Sequence, residues 1–403
     1  MSASETIVKK RRVFYIPGYD PIHPRRYREL YRKESAEQAE ISGYDISLKP
    51  KAVGGRYGWS VEGKVDGTKT NAEVEVLVWS DIVRDSMSSS IPATYLQLVK
   101  TAYTYIGSGA LRRLMWLRKG PIIAALYPVG MLILQLVLAL LAGWAAGAVA
   151  GQIHGLLAPV AALPVFVFAM RWFRSKDNKL FAYYLMHDYA YSAQSNGENT
   201  PELEARMGEF KAIIAEALTQ KHDEVLVVGH SSGAHLAVSI LSDLIREGLV
   251  PAKGPTLSFL SLGQVVPMVS FLPKADRLRS DLNFLSQTDA LSWVDVTAPG
   301  DGCAFALCDP VAVSGVAPET GQKWPLILSA AFTQTLSPER WKALRWRFFR
   351  LHFQYLCAFD MPGDYDYFQI TAGPLTLGQR YAGRQPSKSK IDRPASRYTS
   401  MAA

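Results

Sequence analysis

The longest feature in the hydrophobic pattern is a block without Asp, Glu, Lys or Arg, which covers the 51 residues from Gly120 to Met170. A helix needs about 20 residues to cross the hydrocarbon core of a bilayer, so the block has room for two spans. We expect a helical hairpin with spans at about 122–147 and 156–172 and a turn near 151–155. A buried hairpin inside a large soluble domain is the alternative, but so long a stretch without acids or bases favours the membrane.

Glycines recur at every fourth position towards the end of the first predicted span. On a helix, Gly143, Gly147, Gly151 and Gly155 form a smooth stripe that another helix can approach closely. A flexible glycine-rich turn is the alternative, because the stripe runs into the predicted turn. If the stripe is helical, Gly143, Gly147 and Gly151 could mediate self-association of the protein.

Outside the block, the pattern alternates between strands and helices. It predicts strands at 13–16, 73–79, 224–228, 256–262 and 292–297. It predicts helices at about 25–39, from Pro201 after the N-cap Thr200, and at 232–247. The continuous apolar run at 224–228 is typical of a strand buried in a parallel sheet. These alternating elements predict an α/β fold with a mostly parallel sheet flanked by helices.

The pattern also divides the chain into four parts. We expect residues 1–94 to form the N-terminal part of the α/β domain and residues 95–176 to form a membrane-interface and two-helix transmembrane insertion. Residues 177–378 form the main part of the domain. Residues 379–403 are rich in Ser, Pro, Arg and Lys without an apolar period, which predicts a loose basic tail.

Composition and charge narrow the function classes. A chain of 403 residues with 48% hydrophobic residues is neither disordered nor fibrous. The net charge of +8 is compatible with nucleic-acid binding, but there is no zinc-finger spacing or RNP-like run, so we expect no nucleic-acid partner. The basic residues instead flank the apolar block, which favours anionic lipid.

The flanking charges also predict an orientation. Basic residues both precede and follow the apolar block: Arg112, Arg113, Arg118, Lys119, Arg171, Arg174, Lys176 and Lys179. Because positive charge accumulates on the cytoplasmic side, we expect both ends of the hairpin, and the α/β domain joined to them, to face the cytoplasm. The three cysteines, Cys303, Cys308 and Cys357, predict no disulfide framework and suit a reducing compartment.

One short motif carries chemistry. Gly229-His230-Ser231-Ser232-Gly233 matches G-x-S-x-G, a pattern that arises by chance in about one chain of this length in ten. Its position between a buried strand and an amphipathic helix is the setting that a nucleophile elbow requires. The helix that follows offers free N–H groups and a positive dipole end to a developing oxyanion.

At this motif the sequence resembles the α/β-hydrolase superfamily, specifically its lipase-like and esterase-like serine hydrolases. The resemblance covers residues 13–19 and about 200–360, and it implies a triad in the chain order Ser, Asp or Glu, His. Of the seven histidines, only His352 lies far enough past Ser231. A histidine packed among aromatic side chains is the alternative role for His352.

The triad acid should follow a strand between these two residues. Asp301 lies in the turn after the strand predicted at 292–297 and is therefore the best candidate. Asp295, within that strand, and Asp309, at an Asp-Pro turn, stay open as alternatives.

The resemblance further implies an oxyanion hole made of two backbone N–H groups. One belongs to Ser232, and the other would belong to Tyr19, in the loop after the first buried strand. Pro17 stands where many such enzymes have a histidine, and a tight turn without a catalytic role is the alternative for this loop.

We therefore expect an integral membrane serine hydrolase with two spans that cleaves carboxylic esters or thioesters, including lipid-like ones, with the bilayer as a partner. No cofactor is expected, since no P-loop or dinucleotide motif occurs, and no metal, since Cys303 and Cys308 have no second cysteine pair. A catalytically silent membrane scaffold with a hydrolase fold is the alternative from another class. A peptidase or an acyltransferase that uses the same triad is the third.

Overall fold

The computed structural model describes residues 7–51, 56–87 and 90–402. Residues 1–6 of the predicted N-terminal part and residue 403 of the predicted tail lie outside the described residues. The strands are β1 (Lys10–Ile16), β2 (Asp45–Pro50), β3 (Gly58–Val65), β4 (Thr68–Val76), β5 (Glu224–His230), β6 (Thr256–Leu262), β7 (Ser292–Thr297) and β8 (Leu326–Ser329).

These strands form one eight-stranded sheet in the order β2-β3-β4-β1-β5-β6-β7-β8. Only β3 pairs antiparallel with its neighbours, so the other seven strands share one direction. The prediction of an α/β fold with a mostly parallel sheet is confirmed. The carboxyl ends of β1, β5, β6 and β7 lie side by side at one edge.

Helices cover both faces of the sheet and connect it to the apolar hairpin. They are α1 (Arg25–Ser42), α2 (Ser80–Ser86), α3 (Ile91–Gly107), α4 (Ala110–Leu117), α5 (Lys119–Gly151), α6 (Leu157–Ser175), α7 (Asp177–Leu180), α8 (Ala182–Gln194), α9 (Pro201–Leu218), α10 (Ser232–Arg246), α11 (Val266–Ser270), α12 (Asp276–Leu285), α13 (Pro310–Val313), α14 (Phe332–Thr335), α15 (Pro338–Leu344), α16 (Phe348–His352), α17 (Tyr367–Ala372) and α18 (Leu377–Arg380). A short 3₁₀ turn covers Gln354–Leu356.

The central strands follow the predicted pattern closely. Every residue of β5 is buried, and β6 and β7 have the predicted limits. The first strand begins earlier than predicted, because the buried guanidinium of Arg11 pairs with the buried Glu224 carboxylate at 2.5 Å. The predicted N-cap is confirmed, since the Thr200 side chain accepts the Leu203 N–H at 3.3 Å.

The apolar block forms two packed helices, α5 and α6, which are long and apolar enough to cross a membrane. Gly143 and Gly147 face α6 so closely that a Cβ on either would lie within about 3 Å of a carbonyl oxygen, that of Ala162 or of Ala158. The stripe is therefore helical over this stretch. Within this chain, the helix that these two glycines contact is α6.

The C-terminal segment differs from the loose tail that its composition predicts. Ile391 pairs with Cys308 in a parallel bridge, and Ala395 is buried. Near the end of the chain, the Ser400 carbonyl accepts a hydrogen bond of 2.7 Å from Arg279. Backbone and guanidinium hydrogen bonds thus hold a segment that has no hydrophobic period of its own.

Candidate active site

Ser231 occupies a strained turn between β5 and α10. Its backbone has φ 56° and ψ −122°, a combination that non-glycine residues rarely adopt. The Ser231 N–H donates to the Leu262 carbonyl at 2.9 Å, which ties the turn to the end of β6. A Cβ at Gly233 would lie 2.1 Å from the Ile16 carbonyl oxygen, so only glycine lets β1 approach the start of α10 this closely.

The structure brings His352 and Asp301 together. His352 ends α16, and Asp301 lies in the turn after β7, where its N–H donates to Ala298. His352 Nδ1 and Asp301 Oδ2 are 2.7 Å apart, and both residues are buried. A carboxylate in this place orients the imidazole and leaves Nε2 as the nitrogen available for proton transfer.

Two further donors hold the Asp301 carboxylate. Cys303 N–H donates to Oδ1 at 2.9 Å, and the hydroxyl of Tyr355 donates to Oδ2 at 3.0 Å. Burial alone would raise the pKa of Asp301, but the charge of His352 and these hydrogen bonds together lower it below its usual value. Asp301 is therefore an anion at neutral pH, as an orienting carboxylate must be.

The two alternative acids are engaged elsewhere. Asp295 accepts a hydrogen bond from Ser261 at 2.5 Å, and burial raises its pKa to about 8. Asp309 caps α13 by accepting the N–H groups of Val311 and Ala312. Neither contacts His352 through a hydrogen bond in the described part of the chain.

His230, inside the motif, positions the His352 backbone. Its Nε2 lies 3.0 Å from the His352 carbonyl oxygen, and its Nδ1 lies 3.3 Å from the Tyr15 hydroxyl. Burial, and then the charge of His352, lowers the pKa of His230 to about 3. The ring is therefore neutral, so Nε2–H donates to His352 and Nδ1 accepts from Tyr15.

The predicted oxyanion donors border the same region. The Tyr19 and Ser232 backbone N–H groups make no hydrogen bond within the described ranges of the chain. The loop with Tyr19 is fixed from both sides, because Trp79 donates to the Pro17 carbonyl at 2.9 Å and Tyr184 donates to the Tyr19 carbonyl at 2.6 Å. A Cβ on Gly18 would lie 2.9 Å from the Ser231 Cβ, so this loop packs directly on the elbow.

Ser231 and His352 line one cavity of about 390 Å³. Among residues that the structure describes, Ser231 Oγ has no hydrogen-bond partner, so the serine and the histidine face the same space without a direct bond. Such bonds are often long or absent before substrate binds. The hydrogen bond of His352 with Asp301 is formed, whereas no hydrogen bond joins His352 to Ser231 among the described residues.

Asp301, Cys303 and His352 also place three potential metal-ligand atoms within 4.8 Å of one another. His352 Nδ1 and Asp301 Oδ2 are bound to each other, however, and burial raises the pKa of the Cys303 thiol well above its usual value. A protonated thiol is a poor ligand, so the donor set suits an orienting acid-histidine pair better than an ion.

Sequence reasoning missed Tyr355 and Asp188 at the site, and it missed the contact that His230 makes with His352. Tyr355 lies three residues after His352, which was a signal that it lies near, but its hydrogen bond to Asp301 depends on the fold. Asp188, in the middle of α8, lines the cavity beside Ser231. His230 was noted only as part of the motif. Comparison with protein-family models, curated proteins and solved structures finds no match to this chain.

Proposed function

We propose that the protein is a membrane-anchored serine hydrolase of the α/β-hydrolase type that cleaves carboxylic esters or thioesters. The observation that carries the proposal is Ser231 on a strained strand-to-helix turn, in one cavity with a buried pair of His352 and Asp301. A mostly parallel sheet with the serine at the carboxyl end of a central strand is the framework such an elbow needs.

The reaction follows from these positions. His352 Nε2 takes the proton of Ser231 as Oγ forms a bond to the acyl carbon, and Asp301 stabilises the imidazolium. The backbone N–H groups of Ser232 and Tyr19 donate to the oxyanion. The bond to the leaving group then breaks, and His352 returns the proton to the departing alcohol or thiol. Water activated by His352 releases the acyl group from the serine.

The position of the cavity supports substrates that come from a bilayer. Asp177, Asn178 and Phe181 line it, and they follow directly after the end of α6 at Ser175. At the other end of the hairpin, Pro121 near the start of α5 lines a second cavity of about 70 Å³ that also contains Ser231. We therefore place the catalytic domain against the membrane surface on the cytoplasmic side, in accord with the basic flanks.

Labelling with a fluorophosphonate probe tests the nucleophile. In a membrane fraction, wild-type protein should be labelled, and Ser231→Ala should abolish labelling while the protein stays folded and membrane-bound. Ser60→Ala, at the far side of the sheet, is the control and should label like wild type. Unchanged labelling of the Ser231 variant would refute the nucleophile, and an unlabelled wild type would favour a silent scaffold.

A further inference from the structure

Three cavities of about 390, 70 and 20 Å³ meet around the elbow. Asp188, on α8, lines all three. The two larger of these three cavities also share Ser231 and His352, so Asp188 borders the space in which a substrate would react.

Asp188 differs from the other charged residues around the cavity of about 390 Å³ because no protein group partners its carboxyl within the described ranges. Asp20 accepts hydrogen bonds from Tyr27 at 2.6 Å and from Arg26 at 3.3 Å. Asp177 accepts the N–H groups of Tyr183 and Tyr184. Asp188 has neither a hydrogen bond nor an ion pair within the described ranges. Arg26 is already engaged, both with Asp20 and with the ring of Phe353 at 4.4 Å.

Asp188 is only partly buried, and its carboxyl has no protein partner in the part of the chain that the structure describes, so it is free to bind a substrate group that enters the cavity. Burial raises the pKa of Asp188 to about 7, and the charge of His352 opposes that rise. In either protonation state the group retains an oxygen that accepts a hydrogen bond. A substrate hydroxyl would satisfy it, whereas an anionic substituent would meet its charge.

We propose that Asp188 is a specificity-determining residue that accepts a hydrogen bond from a substrate hydroxyl beside the scissile ester and disfavours anionic substituents there. The preferred substrate class is then acyl esters of polyols, such as glycerol. This inference rests on the proposed hydrolase function.

The test compares three esters that share the butyryl group and differ in the alcohol: glycerol monobutyrate, propyl butyrate and butyryl glycolate. We expect wild-type kcat/KM to favour the glycerol ester over the propyl ester by about tenfold to hundredfold, as for hydrogen bonds to charged groups, and to be lowest for the glycolate ester. In Asp188→Leu the ratio of kcat/KM for the glycerol ester to that for the propyl ester should fall to near one. The kcat/KM for the glycolate ester, relative to that for the propyl ester, should rise. Asp188→Asn retains an acceptor oxygen, so it should keep part of the glycerol preference while accepting glycolate better.

Asp45→Leu, an exposed acidic position on β2, is the matched control and should keep the wild-type order. An equal loss of kcat/KM on all three esters in both Asp188 variants would overturn the inference, because it indicates a role through His352 or through folding. A wild type that hydrolyses all three esters without preference would also overturn it and leave the hydrolase proposal standing. Failure of wild type both to hydrolyse any ester and to react with the fluorophosphonate would instead refute the hydrolase proposal.

Discussion

At the scale of single residues, the site depends on which carboxylate meets His352. Asp301 has three donors around it, and its lowered pKa keeps it charged. Asp301→Asn preserves the shape but removes the charge that holds the imidazole in its tautomer. We expect kcat for ester hydrolysis to fall by about four orders of magnitude, as loss of a triad acid does in serine proteases. Asp295→Asn is the matched control, and loss of activity there with an active Asp301 variant would reverse the assignment.

The buried carboxyl of Asp295 leads to a separate prediction, about how the free energy of unfolding depends on pH. Its pKa is raised to about 8 by burial, from the ordinary value near 4 of an exposed aspartate. Wild type therefore has its full stability from this group at low pH and loses it as the pH rises towards 8, by about 1.4 kcal/mol per pH unit. In urea unfolding in detergent, the free energy of unfolding of Asp295→Asn should increase relative to that of wild type as the pH rises from 5 to 8. Parallel pH curves for the two proteins would contradict a buried neutral carboxyl.

At the scale of elements, the site depends on the contact between the loop after β1 and the elbow after β5. Gly18 has no room for a Cβ beside Ser231, so Gly18→Ala must displace either the serine or the loop that carries Tyr19. A misplacement of about 1 Å costs roughly a hundredfold in rate, and we expect a loss of kcat/KM of that order. Gly208→Ala, in α9 with open space around the added methyl, should leave kcat/KM unchanged. Equal activity of both variants would show that this loop does not contribute to catalysis.

The strands of the sheet could be predicted from the sequence where a local pattern encodes them, and their pairing could not. β5 was predictable because burial on both faces of the sheet demands a continuous apolar run, which residues 225–228 supply. The pairing of β1 with β5 was not, because no local pattern encodes a partner more than 200 residues away. Chain order selected His352, whereas the choice of Asp301 over Asp295 depended on which side chain reaches the imidazole. The packed C-terminal segment escaped prediction because hydrogen bonds from distant residues hold it.

At the scale of the whole molecule, one part of α5 packs against the α/β domain and the rest belongs to the apolar hairpin. The first part packs against the body, where Leu132 is buried beside α8 and its carbonyl accepts the Tyr95 hydroxyl at 2.7 Å. Beyond Leu132, most side chains that do not face α6 are exposed and apolar. The 19 residues from 133 to 151 rise about 28 Å, close to the thickness of a hydrocarbon core.

This division predicts that the hairpin turn and the C-terminal segment lie on opposite sides of the membrane. We expect a cysteine at the turn, His154→Cys, to react with an impermeant maleimide in intact cells. Lys388→Cys should react only after the cells are permeabilised if, as we propose from the basic flanks of the hairpin, the α/β domain lies in the cytoplasm. Wild type is the control for reaction at the partly exposed Cys303. The reverse pattern would place the catalytic domain outside, and protection of both sites in intact cells would mean that the hairpin does not cross.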